Sequence, residues 1–399
     1  WGCAGAGAAR EGHGGGGRGC GGRVLCLGAV AAIVIAYTAM RGLGSGCVGP
    51  VQAKGLLKEK QPILLAEFER RSSDTTLAAT LTEAFRVDLS QSQSVKLLDG
   101  QVVSDALVRM QRPANATLKP ALALEVAQRE GVPAIVVGQI DPVGKSYVLT
   151  AKVLSTSNSA VLTAVRETAA TDADLIPALD RLSRALRERI GESLVSIRAD
   201  QPLQHVTTAS LDALRKYTQA VRLAGGGNEE AAVPLLQEAT AIDTGFAMAW
   251  RKLSAVVRNA GGAKSQYVAA ATRAYQNRDR LPELERQAAT AQYFDISEVD
   301  RAKAIAAYRA MLAIDPDNDI AQTNLAADLS STGQSAEAES LAVACMDRGR
   351  IATCAFIAIA NQLWQNKLAK AESTMTRWER GWPLNPHLGD TRFLVASWR

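Results

Sequence analysis

Histidine, the commonest metal ligand and proton shuttle, occurs at His13, His205 and His387. None has a cysteine or carboxylate at metal-ligand spacing, so a zinc site is not expected. The run Asp315-Pro-Asp317-Asn-Asp319 sets out carboxylates as the start of a calcium loop does. The place where that loop needs glycine for its sharp turn holds Ile320, however, and the place of its bidentate glutamate holds Ala326. A turn between helices, with carboxylates capping the next one, accounts for the run. The stretch 12–17 spells G-x-G-x-x-G, yet no strand precedes it and no helix with a polar start follows, so it reads as low complexity. Neither a phosphate loop, a G-x-S-x-G elbow, nor the H-R-D and D-F-G elements of a protein kinase are found in the sequence. No catalytic, cofactor-binding or metal-binding residue is assigned, and no cofactor is expected. Cys345 and Cys354 flank a short turn containing Gly349; they read as a disulfide in an oxidising compartment or as two buried thiols. Asn115-Ala-Thr117 is a formal glycosylation triplet of the kind that arises by chance.

The elements that would have to position any site come from a chain of 399 residues, 47% hydrophobic and 21% charged, which fits two or three folded domains. The net charge of +5 is local: residues 1–60 hold seven Lys/Arg against two Asp/Glu, and the remainder is balanced at 38 of each. A balanced body argues against a large nucleic-acid surface, and no nucleic-acid partner is expected.

Sixteen of the 32 glycines lie in the first fifty residues, so residues 1–23 read as a glycine-rich juxtamembrane linker. Residues 24–40 follow without a charge, between Arg23 and Arg41. As a helix they would span roughly 25 Å, the short end of the bilayer range. A single transmembrane helix is the first reading, with a signal segment and a buried core helix as alternatives. Basic residues stand on both sides, Arg10, Arg18 and Arg23 against Arg41, Lys54, Lys58 and Lys60, so charge does not choose the orientation. Gly44 stands where a lipobox before Cys47 would have an aliphatic residue.

From 61 to 200 the texture is that of a small α/β domain. Residues 63–68 read as a buried strand. A helix over 75–90 follows, with Leu77, Leu81, Ala84, Phe85 and Leu89 recurring at helical spacing. Next come a strand at 95–98, helices at 101–111 and 118–130, three strands within 134–167 joined by turns, and a long helix from 174 to about 196. The order is βαβααβββα. Phe68, Asp74, Leu81-Thr-Glu-Ala84, Ala127, Gly131-Val132 and Gly138 stand where the amino-terminal domain of TolB-like proteins has its pattern, which this region resembles. Glu67 replaces the family's usual proline. The resemblance implies a non-catalytic, extracytoplasmic interaction or sensing module.

Residues 205–399 repeat. Ala241-Ile-Asp243 recurs as Ala313-Ile-Asp315, and the spacing of Trp250 and Leu253 recurs at Gln322 and Leu325. The units resemble tetratricopeptide repeats, in Trp250-x-x-Leu253-Ser254, in Gly333-Gln-Ser-Ala-Glu-Ala338 and in the Asp315-Pro316 helix end. Helix pairs are expected at 210–242, 246–278, 283–314, 320–347 and 352–380, with a sixth unit beginning at 386. Stacked pairs bury a continuous core and leave a groove that the resemblance assigns to a peptide or protein partner. Arg251, Arg258 and Asn259 fall on first-helix positions that resemble groove-facing ones, with solvated helix faces as the alternative.

The fold class is therefore α+β: a small TolB-like α/β domain, an all-α repeat solenoid and one N-terminal transmembrane helix. This order, with Arg189-Ile-Gly-Glu-Ser-Leu194 between the modules, resembles the C-terminal part of bacterial membrane-anchored serine/threonine protein kinases. There a cytoplasmic kinase domain precedes the helix, and residues 41–399 would be the external sensor. An envelope scaffold, or the tail of a membrane transcription regulator or nucleotide cyclase, are the other classes.

Overall fold

The computed structural model describes residues 60–70, 75–348, 352–383 and 388–398, together with Val51, Leu57 and Asn385. The expected linker at 1–23 and membrane helix at 24–40 lie outside the described residues. Among the described residues no helix is long and apolar enough to cross a membrane.

The first part of the chain builds a mixed sheet. Strand β1 (Pro62–Leu65) and the short β2 (Glu69–Arg70) precede helix α1 (Thr75–Ser90). Then come β3 (Lys96–Leu97), α2 (Gly100–Arg109), α3 (Pro120–Arg129), β4 (Ala134–Val143), β5 (Ser146–Ser155), β6 (Val161–Ala169) and α4 (Leu175–Ile190). The sheet order is β3-β1-β4-β5-β6, with β2 paired to β4. β1 runs parallel to β3 and β4, pairing Ile63 with Leu97 and Leu64 with Ile135. β4, β5 and β6 are successive antiparallel hairpins. The parallel centre explains the apolar run in β1, since a strand covered on both faces cannot alternate. On one face α1 and α4 bring Leu81, Phe85, Leu179, Leu182 and Leu186 onto Leu149, Ala151 and Val153. On the other, α2 and α3 bring Val102, Ala106 and Val126 onto Leu64 and Ile135.

Two departures from the expected elements have local causes. The first strand stops at Leu65, and the chain reaches β2 through Ala66, Glu67 and Phe68, whose N–H groups donate to Val136 O, Leu118 O and Thr82 Oγ1. Phe68 packs against Phe85 with ring centroids 5.2 Å apart. A Cβ built on Gly138 would lie 2.0 Å from its ring, so the strand passes under Phe68 only as glycine. The long helix expected to run to about 196 ends at Ile190, because Gly191 adopts φ 134°. The chain then folds back as α5 (Leu194–Ala199), capped by Ser193, and α6 (Leu203–Val206). Arg187, on the last turn of α4, fixes that reversal with two hydrogen bonds to the Glu192 carboxylate at 2.7 and 2.8 Å, and reaches Asp200.

From Leu211 the chain is helical hairpins: α7 (Leu211–Gly225) with α8 (Glu229–Ile242), α9 (Ala247–Asn259) with α10 (Lys264–Gln276), α11 (Glu283–Ile296) with α12 (Arg301–Ile314), α13 (Asp319–Ser331) with α14 (Ser335–Asp347), and α15 (Ala352–Trp364) with α16 (Leu368–Gly381). A first helix of a further unit, α17 (Leu388–Ser397), follows. This is a tetratricopeptide-type solenoid. The caps are polar residues chosen by position: Ser210, Asn228, Asp300 and Asn318 each accept a backbone N–H from three residues on. Each hairpin turn needs one residue at positive φ. Gly227, Gly261, Val299, Gly333 and Asn366 fill that place in successive units.

The two parts are packed together. α1 lies against α7 and α6, and their buried side chains join one core that runs from Phe85 to Leu214 and Tyr217. Arg222 on α7 donates to Thr117 Oγ1 at 2.8 Å and pairs with Glu67 at 3.4 Å. Lys96 pairs with Asp315 at 2.7 Å, so a carboxylate of the calcium-like run holds the sheet domain to the solenoid. Asn318 in the same run caps α13.

Candidate protein-docking groove

α9, α13 and α15 are first helices of equal length, so their positions correspond one to one when counted from Ala247, Asp319 and Ala352. The groove-expected residues of α9 thereby acquire counterparts: Arg251 matches Phe356, Arg258 matches Ser330 and Leu363, and Asn259 matches Trp364. What these positions carry divides the shared face into a charged stretch and an apolar one.

In the charged stretch each helix answers the next. Arg251 of α9 pairs with Glu285 of α11 at 2.5 Å, and Arg258 with Asp295 at 3.5 Å. Arg301 links that same Asp295 to Asp328 of α13, the second contact being 2.6 Å. Farther along, Arg348 binds Asp319 at 2.9 Å. The Glu285 carboxylate raises the Arg251 pKa above its ordinary value. Burial lowers that of its neighbour Lys252. Burial, reinforced by the Asp295 charge, raises Asp328 to about 6 although Arg301 opposes it. Arg251 is half-buried and Arg258 and Asn259 are exposed. The structure therefore spends both arginines on holding successive first helices in register, and leaves Asn259 on the surface.

The apolar stretch begins at α13. A cavity of about 360 Å³ opens between α13, α15 and α17, with Ala327 and Ser330 on its floor, Phe356, Ile357, Ala360, Leu363 and Trp364 on one wall, and Leu394 and Trp398 on the other. No charged side chain lines it. Leu363 is buried, whereas Phe356, Trp364 and Trp398 keep 43%, 57% and 41% of their surface in water, and neighbouring Phe393 keeps 75%. Exposed aromatic rings grouped around one cavity are the usual marks of an interaction surface. Beneath it Cys345 of α14 and Cys354 of α15 form a disulfide with Cα atoms 6.0 Å apart. The Thr323 hydroxyl of α13 lies 3.2 Å from Cys354 Sγ, so α13 and α15, which carry most of the pocket, meet α14 at this link.

Sequence reasoning found the groove positions but not the pocket. The available signal was the apolar run on α15, in which Phe356, Ile357, Leu363 and Trp364 occupy places that α9 fills with Arg251, Lys252, Arg258 and Asn259.

A second cavity, about 290 Å³, lies between the sheet domain and the solenoid, lined by Arg109, Met346, Arg377, Gly381 and Trp382. Both guanidiniums there are occupied, Arg109 by Glu130 at 2.5 Å and Arg377 by Asp347. A third polar cluster is wholly internal. Arg187 and Glu192 are buried, and the Arg187 hydrogen bonds overcome burial to hold the Glu192 carboxyl below its ordinary pKa. Asp88, also buried, receives Gln91 Nε2 at 3.1 Å and lies beside Ser183 and Asp180; burial pushes its pKa up to about 7. Among the described residues no group of three or more His, Cys, Asp or Glu could hold a metal ion.

No family model matches the chain, and no curated protein matches it. Among solved structures, the LpoB C-terminal domain from Salmonella enterica is similar over 31% of this chain and 94% of its own, at 15% identity and a TM-score of 0.25. PilW, a type IV pilus biogenesis factor, is similar over 47% of this chain and 85% of its own, at 15% identity and TM-score 0.40. A tetratricopeptide-repeat protein of Thermus thermophilus is similar over 47% and 98%, at 13% identity and TM-score 0.39.

Proposed function

We propose that this chain is a non-catalytic region for sensing and protein interaction, anchored in the cell membrane by residues 24–40, with residues 41–399 outside the cytoplasm. In this reading it is the C-terminal part of a bacterial serine/threonine protein kinase, and the sheet domain is of the TolB amino-terminal type. The observation that carries the interaction function is the uncharged, aromatic-lined pocket on the first-helix face of the solenoid. Phe356, Trp364 and Trp398 keep 43%, 57% and 41% of their surface in water around an open cavity, and that exposed aromatic area is what a partner would cover. Arg251 and Arg258 shape the groove wall, and the exposed Asn259 offers its amide to the partner's rim.

Placement outside the cytoplasm is supported by the Cys345–Cys354 disulfide, since cytosolic reductants keep most thiols apart. Kinase parentage is supported by the order of segments: uncharged span, sheet domain, then repeats. A phosphatase reporter fused after Arg399 should be active and a cytoplasmic fluorescent reporter dark; the reverse pattern would refute the placement. The coding sequence upstream of Trp1 tests the parentage. Kinase motifs there support the reading, a winged helix or cyclase domain replaces it with the tail of another membrane regulator, and a start codon alone leaves an envelope scaffold.

A further inference from the structure

The groove offers a partner two different surfaces. Along α9 to α13 the cations Arg251, Arg258 and Arg301 are already answered by Glu285, Asp295 and Asp328. A charged partner there would have to displace ion pairs already made. Along α15 the same helix positions are Phe356, Ile357, Ala360, Leu363 and Trp364, and the charged groups flanking the pocket are themselves held, Asp328 by Arg301 and Arg392 by Glu379. A charged group buried against that lining would lose its hydration with nothing to replace it.

Resting on the interaction reading above, we propose that the pocket between α13, α15 and α17 binds an uncharged segment of a partner protein that presents large aliphatic or aromatic side chains on one face. Charge complementarity selects this occupant, because the wall carries no charge and the charged groups beside it, Asp328 and Arg392, are already ion-paired. Size agrees: about 360 Å³ is at the lower end of ligand-pocket volumes, room for a few bulky side chains but not for a folded domain. A helical segment fits the requirement through side chains spaced three and four apart. Recognition by this surface is hydrophobic and indifferent to salt, because the pocket lining carries no charge.

The test uses the full chain in lipid nanodiscs, with empty nanodiscs as the blank, and calorimetric titration of synthetic peptides of about 14 residues. One peptide carries Leu and Phe in a helical stripe among Gln and Ala. A second has the same composition scrambled, and two more replace Gln with Glu or with Lys. The expected result is binding of the neutral striped peptide, with affinity changing less than about twofold between about 50 and 500 mM NaCl. Scrambling, Phe356→Ala and Trp364→Ala should each weaken it about tenfold or more, while Val143→Ala, at the exposed β4–β5 turn outside the groove, changes it less than about twofold. Both aromatic variants remove exposed rings, and circular dichroism checks that they fold. Tighter, salt-sensitive binding of the Glu or Lys peptide through Phe356 and Trp364 would overturn this chemistry while leaving the interaction reading intact. Self-association that Phe356→Ala abolishes would make the occupant a second copy and overturn it too. Binding of no peptide class would remove both readings of the pocket.

Discussion

Replacing Asp88 by asparagine should stabilise the protein at neutral pH and above and leave it nearly unchanged below about pH 4. Asp88 sits on α1 with 1% of its surface exposed, where α1 meets α4 beside the reversal that leads into the solenoid. Burial first, and then the neighbouring Asp180 charge, raise its pKa from 3.8 to about 7, while Ser183, Arg187 and Arg184 pull it down. The folded state therefore holds a proton that the unfolded chain gives up in mild acid. Its stabilising effect is complete below the unfolded pKa and is lost as pH rises through about 7. A shift of this size corresponds to an upper bound of about 4 kcal/mol. Asp88→Asn keeps the shape and the acceptor for Gln91 Nε2 but cannot ionise. Urea denaturation followed by circular dichroism should show the wild type losing most of that stability between about pH 4 and pH 7, and the variant losing much less. Equal pH dependence in the two proteins, or a variant less stable than the wild type at pH 8, would refute the reasoning.

Gly138→Ala should destabilise the sheet domain by about 2–3 kcal/mol, because the new methyl meets the Phe68 ring; thermal melts of the variant and of Gly138→Ala with Phe68→Leu should show partial recovery in the double change. Val299 holds φ 55° at the hairpin-turn place that three other units give to glycine, so Val299→Gly should raise stability by about 1 kcal/mol in the same melts, and a loss would show that the valine side chain outweighs its strain.

The helical half was legible because its hairpins repeat: the Ala-Ile-Asp recurrence marks the end of a second helix, and α8 and α12 both end at those isoleucines. The periodic apolar face of α1 located that helix in the same way. What stayed hidden depends on contacts distant in sequence. The helix expected from 174 to about 196 runs straight through Gly191, and only the fold shows it ending there with Arg187 bound to Glu192 across the reversal. Arg251 and Arg258 read as free groove cations until α11 supplies Glu285 and Asp295. The pocket escaped for the complementary reason. Apolar side chains on α15 read as core, and only the fold shows that Phe356 and Trp364 stay in water while Leu363 and Ile359 do not.

The central claim, that the aromatic pocket is where this chain meets another protein, is tested most directly by photo-crosslinking in the native cell. A photoreactive phenylalanine analogue in place of Trp364 should capture one discrete partner, and the same analogue in place of Val143, exposed at the β4–β5 turn, should not. Equal capture at both positions, or none at Trp364, would contradict the account.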